Sequence, residues 1–153
     1  DRHRHRFSRG IGLAIAQGLD NTGAAVVVTG PTLAWVEAAL ASLHADQSGA
    51  QVRGVIAGIG TLTGCQTLMA AESTADILFN NLGIYKVKDF FALIDADWDE
   101  IFQVNVMGGV RLSRHYVPAM QAQGWGRIQF ISSESGLNIP TEMLHHGVSK
   151  AML

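Results

Sequence analysis

Apolar positions along this chain fall into two rhythms that take turns. Over residues 10–19, Ile11, Ala14, Ile15 and Leu19 recur at helical spacing. Residues 24–29 are instead a continuous run of Ala, Val and Thr bounded by Gly23 and Gly30, the pattern of a strand buried on both faces. The same patterns predict a helix over 33–44, a strand over 51–57, a helix over 62–71 and a strand over 76–80. A long helix is then predicted from near Asp97, which with Glu100 has the spacing of a capping box, to about Gln123. Within it Pro118 is expected to bend the axis, and Gly108 and Gly109 to admit a close neighbour. A strand over 127–133 and, past Pro140, the start of another helix complete the series. Strand and helix in steady alternation predict a parallel sheet with helices packed on it, an α/β chain.

Composition narrows the picture. The 153 residues are 48% hydrophobic and 16% charged, which suits one domain over residues 1–153 with a core of its own. A net charge of −2 gives no overall pull toward nucleic acid, and the cluster of Arg2, Arg4, Arg6 and Arg9 is read as a local feature of the terminus. Cys65 is the only cysteine, so neither an internal disulfide nor a cysteine-built zinc site can form, and a reducing, cytoplasmic setting is expected. No apolar run reaches the roughly 18 residues of a membrane span, so no membrane partner is expected. His145 and His146 are adjacent and diverge on a helix, and with no third ligand at suitable spacing no metal site is expected.

Two stretches carry candidate chemistry. Ser8-Arg9-Gly10-Ile11-Gly12 stands just before the first helix, where a glycine-rich turn lets backbone amides approach phosphate oxygens. A lone Gly-x-Gly is weak by itself, because any helix packed closely on a strand can want glycines. Upstream, residues 1–6 are Asp-Arg-His-Arg-His-Arg, too polar and charged to form the apolar strand that would feed such a turn, and the sheet is expected to lack its centre. At the other end, Ser133 is followed thirteen residues later by His146, with Lys150 four residues beyond it. Residues 146 and 150 share one helix face, so the Lys150 amine can set the charge state of its neighbour. Ser132, Ser133 and Ser135 lie near histidines but without a Gly-x-Ser-x-Gly elbow, which argues against a hydrolase.

A Ser followed at that distance by Tyr-x-x-x-Lys is the signature of the short-chain dehydrogenase/reductase family, and the chain resembles that family from Gly10 to Leu153, with His146 at the Tyr position. It is most similar to the 3-oxoacyl-carrier-protein-reductase type. The resemblance implies a Rossmann-like three-layer αβα fold with a mostly parallel sheet, incomplete at both ends. It also implies interconversion of a carbonyl and an alcohol on a small molecule by hydride transfer, and a homodimer or homotetramer. Carried over by motif, the catalytic residues are Asn105, Ser133, His146 and Lys150. Ser8, Arg9, Gly10, Ile11, Gly12, Asn80, Asn81, Gly83 and Lys150 are implied to bind the cofactor. That cofactor is NADP or NAD. NADP is preferred because no acid follows the strand ending at Thr29, while Arg9 stands where many NADP-dependent relatives carry a basic residue.

Departures from the family pattern mark a second reading, a catalytically impaired remnant or a nucleotide-binding protein without turnover. His5 and Arg6 replace the Thr-Gly of the glycine turn, Gly58 replaces an adenine-binding Asp, and Leu82 replaces a smaller Ala. His146 changes the chemistry most. A nearby ammonium tunes a phenol toward neutral pH, whereas it keeps an imidazole deprotonated. The ring nitrogen also lies roughly 2 Å closer to the backbone than a phenolic oxygen, short of hydrogen-bond reach.

Overall fold

The computed structural model describes residues 10–44 and 51–153. Ser8, Arg9 and the charged segment before them lie outside the described residues. α1 (Ile11–Asp20) leads into β1 (Val26–Gly30), α2 (Leu33–His44), β2 (Val52–Ile56), α3 (Leu62–Ala71) and β3 (Ile77–Asn80). Next come α4 (Asp95–Phe102), a π-helical turn (Gln103–Met107) and α5 (Gly108–Ala122), one long helical passage. β4 (Arg127–Phe130) and α6 (Leu144–Ala151) end the series.

Strand alternation builds the layers. Val26 and Val28 face α1 and α2, packing with Ala16, Leu43 and Val52. Val27 and Val55 face the other way, onto Cys65 and Leu68 of α3 and Leu112, Tyr116 and Met120 of α5. Leu78 of β3 and Ile128 of β4 join that same cluster. Helices therefore cover both faces, the αβα arrangement expected.

The strands form two parallel pairs, β1 with β2 and β3 with β4. The Val26 N–H donates to Gln51 O, so backbone groups of alternate residues, Val27 and Thr29, point away from β2. By the same alternation Asn80 O accepts from Ile131 N–H on the β4 side, and the backbone of Ile77 and Phe79 turns toward the opposite edge. Among the described residues no strand joins those two inner edges. The apolar cluster under α3 and α5 is what ties one pair to the other.

The helical passage differs from its prediction. It begins at Asp95, and Asp97 is not the cap: its carboxylate reaches back to accept the Ile94 N–H at 3.0 Å. Sequence spacing alone sets the box one turn late because Asp97 and Glu100 fit the same pattern. The π-helical turn interrupts the helix around Asn105, which periodicity cannot reveal because the apolar stripe survives the extra residue. α5 continues through Pro118 to Ala122. Gly108 and Gly109 do admit close neighbours: a Cβ on Gly108 would lie 2.7 Å from Ile59 O, and one on Gly109 would lie 2.5 Å from the Phe130 ring. β4 stops at Phe130, three residues before its predicted end, because Ser133 begins a 3-10 turn over Glu134–Gly136.

Candidate active site

The carboxyl ends of β3 and β4 meet the buried side of α6. After β3 the chain runs through Asn80, Asn81, Leu82 and Gly83 to Ile84, whose peptide is the hub of a hydrogen-bond network. Its N–H donates to Asn105 Oδ1 at 2.7 Å, and its carbonyl accepts from Asn105 Nδ2 at 3.0 Å. This two-way pairing fixes which end of the carboxamide is which. The second Nδ2 hydrogen goes to Ser149 Oγ at 2.8 Å, and that hydroxyl donates in turn to His146 O at 2.7 Å. Asn105, only 3% exposed, thus clamps the loop after β3 to α6 from the π-helical turn.

His146 joins through the same carbonyl, with Nδ1 lying 3.1 Å from Ile84 O. A carbonyl oxygen only accepts, so Nδ1 carries the hydrogen and the neutral ring keeps its lone pair on Nε2. Burial pushes the His146 imidazole below its usual range; the Lys150 charge adds to this, against the opposing pull of the Ile84 carbonyl. At neutral pH the ring is a proton acceptor. Tyr85 stands against it, ring centroids 5.9 Å apart and planes 65° from parallel.

Lys150, one turn along α6, is 7% exposed and donates to Ile131 O at 2.7 Å. Burial holds its amine below the ordinary lysine range, and among the described residues it forms no ion pair. Gly83 makes room for it: a Cβ there would lie 3.1 Å from Lys150 Nζ and 3.8 Å from Asn105 Oδ1. Amine and carboxamide therefore converge on one glycine. Ser133 follows β4, and its hydroxyl accepts the Ser135 N–H at 3.2 Å and caps the 3-10 turn. Ser132 instead contacts α6, donating to Lys150 O at 3.0 Å.

At the glycine-rich end, a Cβ on Gly12 would lie 2.5 Å from Asn81 Nδ2, so the start of α1 touches the end of β3. Gly10 at the start of α1 provides no side-chain cap among the described residues, and Ile11 next to it is 61% exposed. Asn80 is buried, its Nδ2 without a partner among the described residues. Leu82 fits where two glycines give way, its Cδ2 lying 3.5 Å and 4.0 Å from where Cβ atoms would stand on Gly60 and Gly108. A shallow depression by Met120, Trp125 and Arg127 lies at the opposite end of β4 and holds none of these groups.

Sequence reasoning missed Ile84, Ile131 and Ser149. The first two act through backbone atoms, which leave no residue-type signal. Ser149 is 44 positions from Asn105 in the chain, beyond any local pattern.

A family model described as short chain dehydrogenase matches residues 7–153. The chain belongs to the short-chain dehydrogenase family. It is 38% identical over 143 residues to the uncharacterized oxidoreductase YvaG of Bacillus subtilis, covering 94% of this chain and 54% of that protein. It is 31% identical over 150 residues to the 3-oxoacyl-[acyl-carrier-protein] reductase FabG of Aquifex aeolicus, covering 95% of this chain and 60% of that one. The crystal structure of L-sorbose reductase from Gluconobacter frateurii, complexed with NADPH and L-sorbose, superposes with a TM-score of 0.87 at 31% identity, over 95% of this chain and 57% of that chain. The chain thus spans little more than half the length of these relatives.

Proposed function

We propose that this chain carries the nucleotide and proton-transfer half of an NAD(P)-dependent oxidoreductase that interconverts a carbonyl and an alcohol. The observation that carries the reading is the convergence of Lys150 Nζ and Asn105 Oδ1 on Gly83, at the strand ends where parallel α/β sheets take their ligands. An unpaired ammonium buried there is expensive unless a ligand uses it. Ribose hydroxyls fit that description, and the glycines at 83 and 12 let Lys150 and Asn81 draw in close to the strand ends.

A bound nicotinamide supplies or takes up hydride at the substrate carbon. The protein's part is binding and the proton. The first-turn α1 amides and Gly10 and Gly12 face the phosphates, Asn80, Asn81 and Gly83 line the path between, and Lys150 holds the ribose. Ser133 offers a hydroxyl to the substrate oxygen once it leaves Ser135. His146, uncharged with Nε2 free to accept, takes the proton in alcohol oxidation and must first be protonated to return it in reduction. NADP is the preferred cofactor: β1 ends at Gly30 and Pro31 without an acid to meet a ribose hydroxyl, and the L-sorbose reductase structure holds NADPH.

Turnover of ethyl 3-hydroxybutyrate with NADP tests the role of position 146. His146→Ala is expected to lower kcat by about 100-fold, and His146→Tyr to raise it above the starting chain. Equal rates for the starting chain and His146→Ala, with cofactor bound, would remove His146 from the chemistry.

A further inference from the structure

We propose that Tyr85 is the proton carrier between the substrate oxygen and His146, bridging the gap left by the shorter imidazole. The proposal rests on the oxidoreductase reading and names one more residue of that site. Tyr85 directly follows Ile84, the residue whose carbonyl fixes the His146 ring, and the two rings meet at 5.9 Å. Nε2 is the free basic atom of that ring and lies roughly 2 Å short of where a phenolic oxygen at position 146 would act. A phenol alongside it supplies the missing reach, because a hydroxyl can accept one proton while giving up another. Tyr85 is 42% exposed, so a substrate can approach it from solvent. The chain's other tyrosine, Tyr116, is 2% exposed and donates to Glu72 O at 2.9 Å on the far side of α5.

The loop that bears Tyr85 is anchored on both sides. The Lys88 side chain pairs with Asp97 of α4 and its N–H donates to Glu142 O at 2.8 Å, just before α6, while Lys86 pairs with Glu100. In oxidation the alcohol proton passes to the Tyr85 oxygen as the Tyr85 proton passes to His146 Nε2. The substrate carbon gives its hydride to the oxidised nicotinamide, and the carbonyl forms. Reduction runs the same bonds backwards: the carbonyl carbon gains hydride from the reduced nicotinamide, its oxygen takes the Tyr85 proton, and the imidazolium proton replaces it. The titratable groups that act on His146 are Lys150 and His145 on α6, while Asp97 and Glu100 on α4 and Lys86 and Lys88 on the loop act on the adjacent His145.

The test uses the full chain with Tyr85→Phe and His146→Tyr, singly and together. With NADP and ethyl 3-hydroxybutyrate, Tyr85→Phe should lower kcat by about 100-fold while leaving cofactor affinity unchanged. In the His146→Tyr background the same change should cost less than about threefold, since the new phenol reaches the substrate unaided. In the free chain, NMR titration of His146 should move upward in Tyr85→Phe, since a phenol that serves Nε2 favours the neutral ring. An unchanged kcat, an unmoved titration, equal losses in both backgrounds, or bound cofactor without turnover would each overturn the proposal. Failure to bind NADP, NADPH, NAD and NADH alike would instead overturn the oxidoreductase reading, and this proposal with it.

Discussion

Two adjacent histidines in α6 meet opposite fates. His146 has one nitrogen tied to the Ile84 carbonyl, whereas both nitrogens of His145 are buried without a partner among the described residues. His145 is 1% exposed and stands edge-on to Trp98 of α4, ring centroids 6.0 Å apart. Burial is the main force lowering its imidazole below the ordinary value of 6.5, opposed by the Asp97 charge. The sign of the consequence is fixed: the unfolded chain takes up the proton first, so stability from neutral His145 is complete above about pH 6.5 and is lost as pH falls below it. His146 pushes in the same direction. His145→Phe should therefore flatten the loss of stability between about pH 7 and 5, while changing it by less than about 1 kcal/mol at neutral pH. Urea midpoints across that range give the answer, and an unchanged slope would mean that His145 is not the group being charged.

Glycines act at the scale of elements, and the neighbours around each decide its role. Gly64, in the first turn of α3, has no room for a side chain, since a Cβ would overlap the Gly58 carbonyl. Gly18, exposed in α1, meets nothing within 4 Å. Gly64→Ala should destabilise by about 2 kcal/mol or more through forced backbone movement, whereas Gly18→Ala should stabilise by about 0.5–1 kcal/mol through helix propensity. Thermal or urea unfolding of the two variants checks the contrast; destabilisation of similar size in both would refute it. Neither difference is visible in the sequence, where both are a glycine inside a helical pattern. The helices and strands themselves were legible: residues 62–71 form α3 as the periodicity predicts, and the β-branched run gives β1. The site was partly legible, because Gly83, Asn105, His146 and Lys150 belong to spaced motifs and the fold gathers them. What the spacing could not give is who holds whom, since Ile84 and Ile131 contribute only peptide oxygens and amides. The cap that the Ser133 hydroxyl makes with the Ser135 N–H and the contact of Ser132 with α6 were likewise not legible in the spacing.

At the scale of the whole molecule, two parallel strand pairs share one apolar cluster, and the site lies over only one of them. β3 and β4 deliver Gly83, Ile84 and Ile131; the π-helical turn delivers Asn105; α6 delivers His146 and Lys150. The glycine-rich start of α1, packed on the other pair, reaches this group through the contact of Gly12 with Asn81. A dinucleotide spanning from α1 to α6 would bridge the two pairs, which makes cofactor binding the property on which the proposed function depends. The most direct measurement is calorimetric titration of NADPH into the full chain and into Lys150→Met, with folding of both checked by urea unfolding. The account predicts saturable one-to-one binding to the starting chain and none to Lys150→Met, which should be at least as stable because it no longer buries an unpaired ammonium. No saturable binding to the starting chain, or equal binding to both, would contradict it.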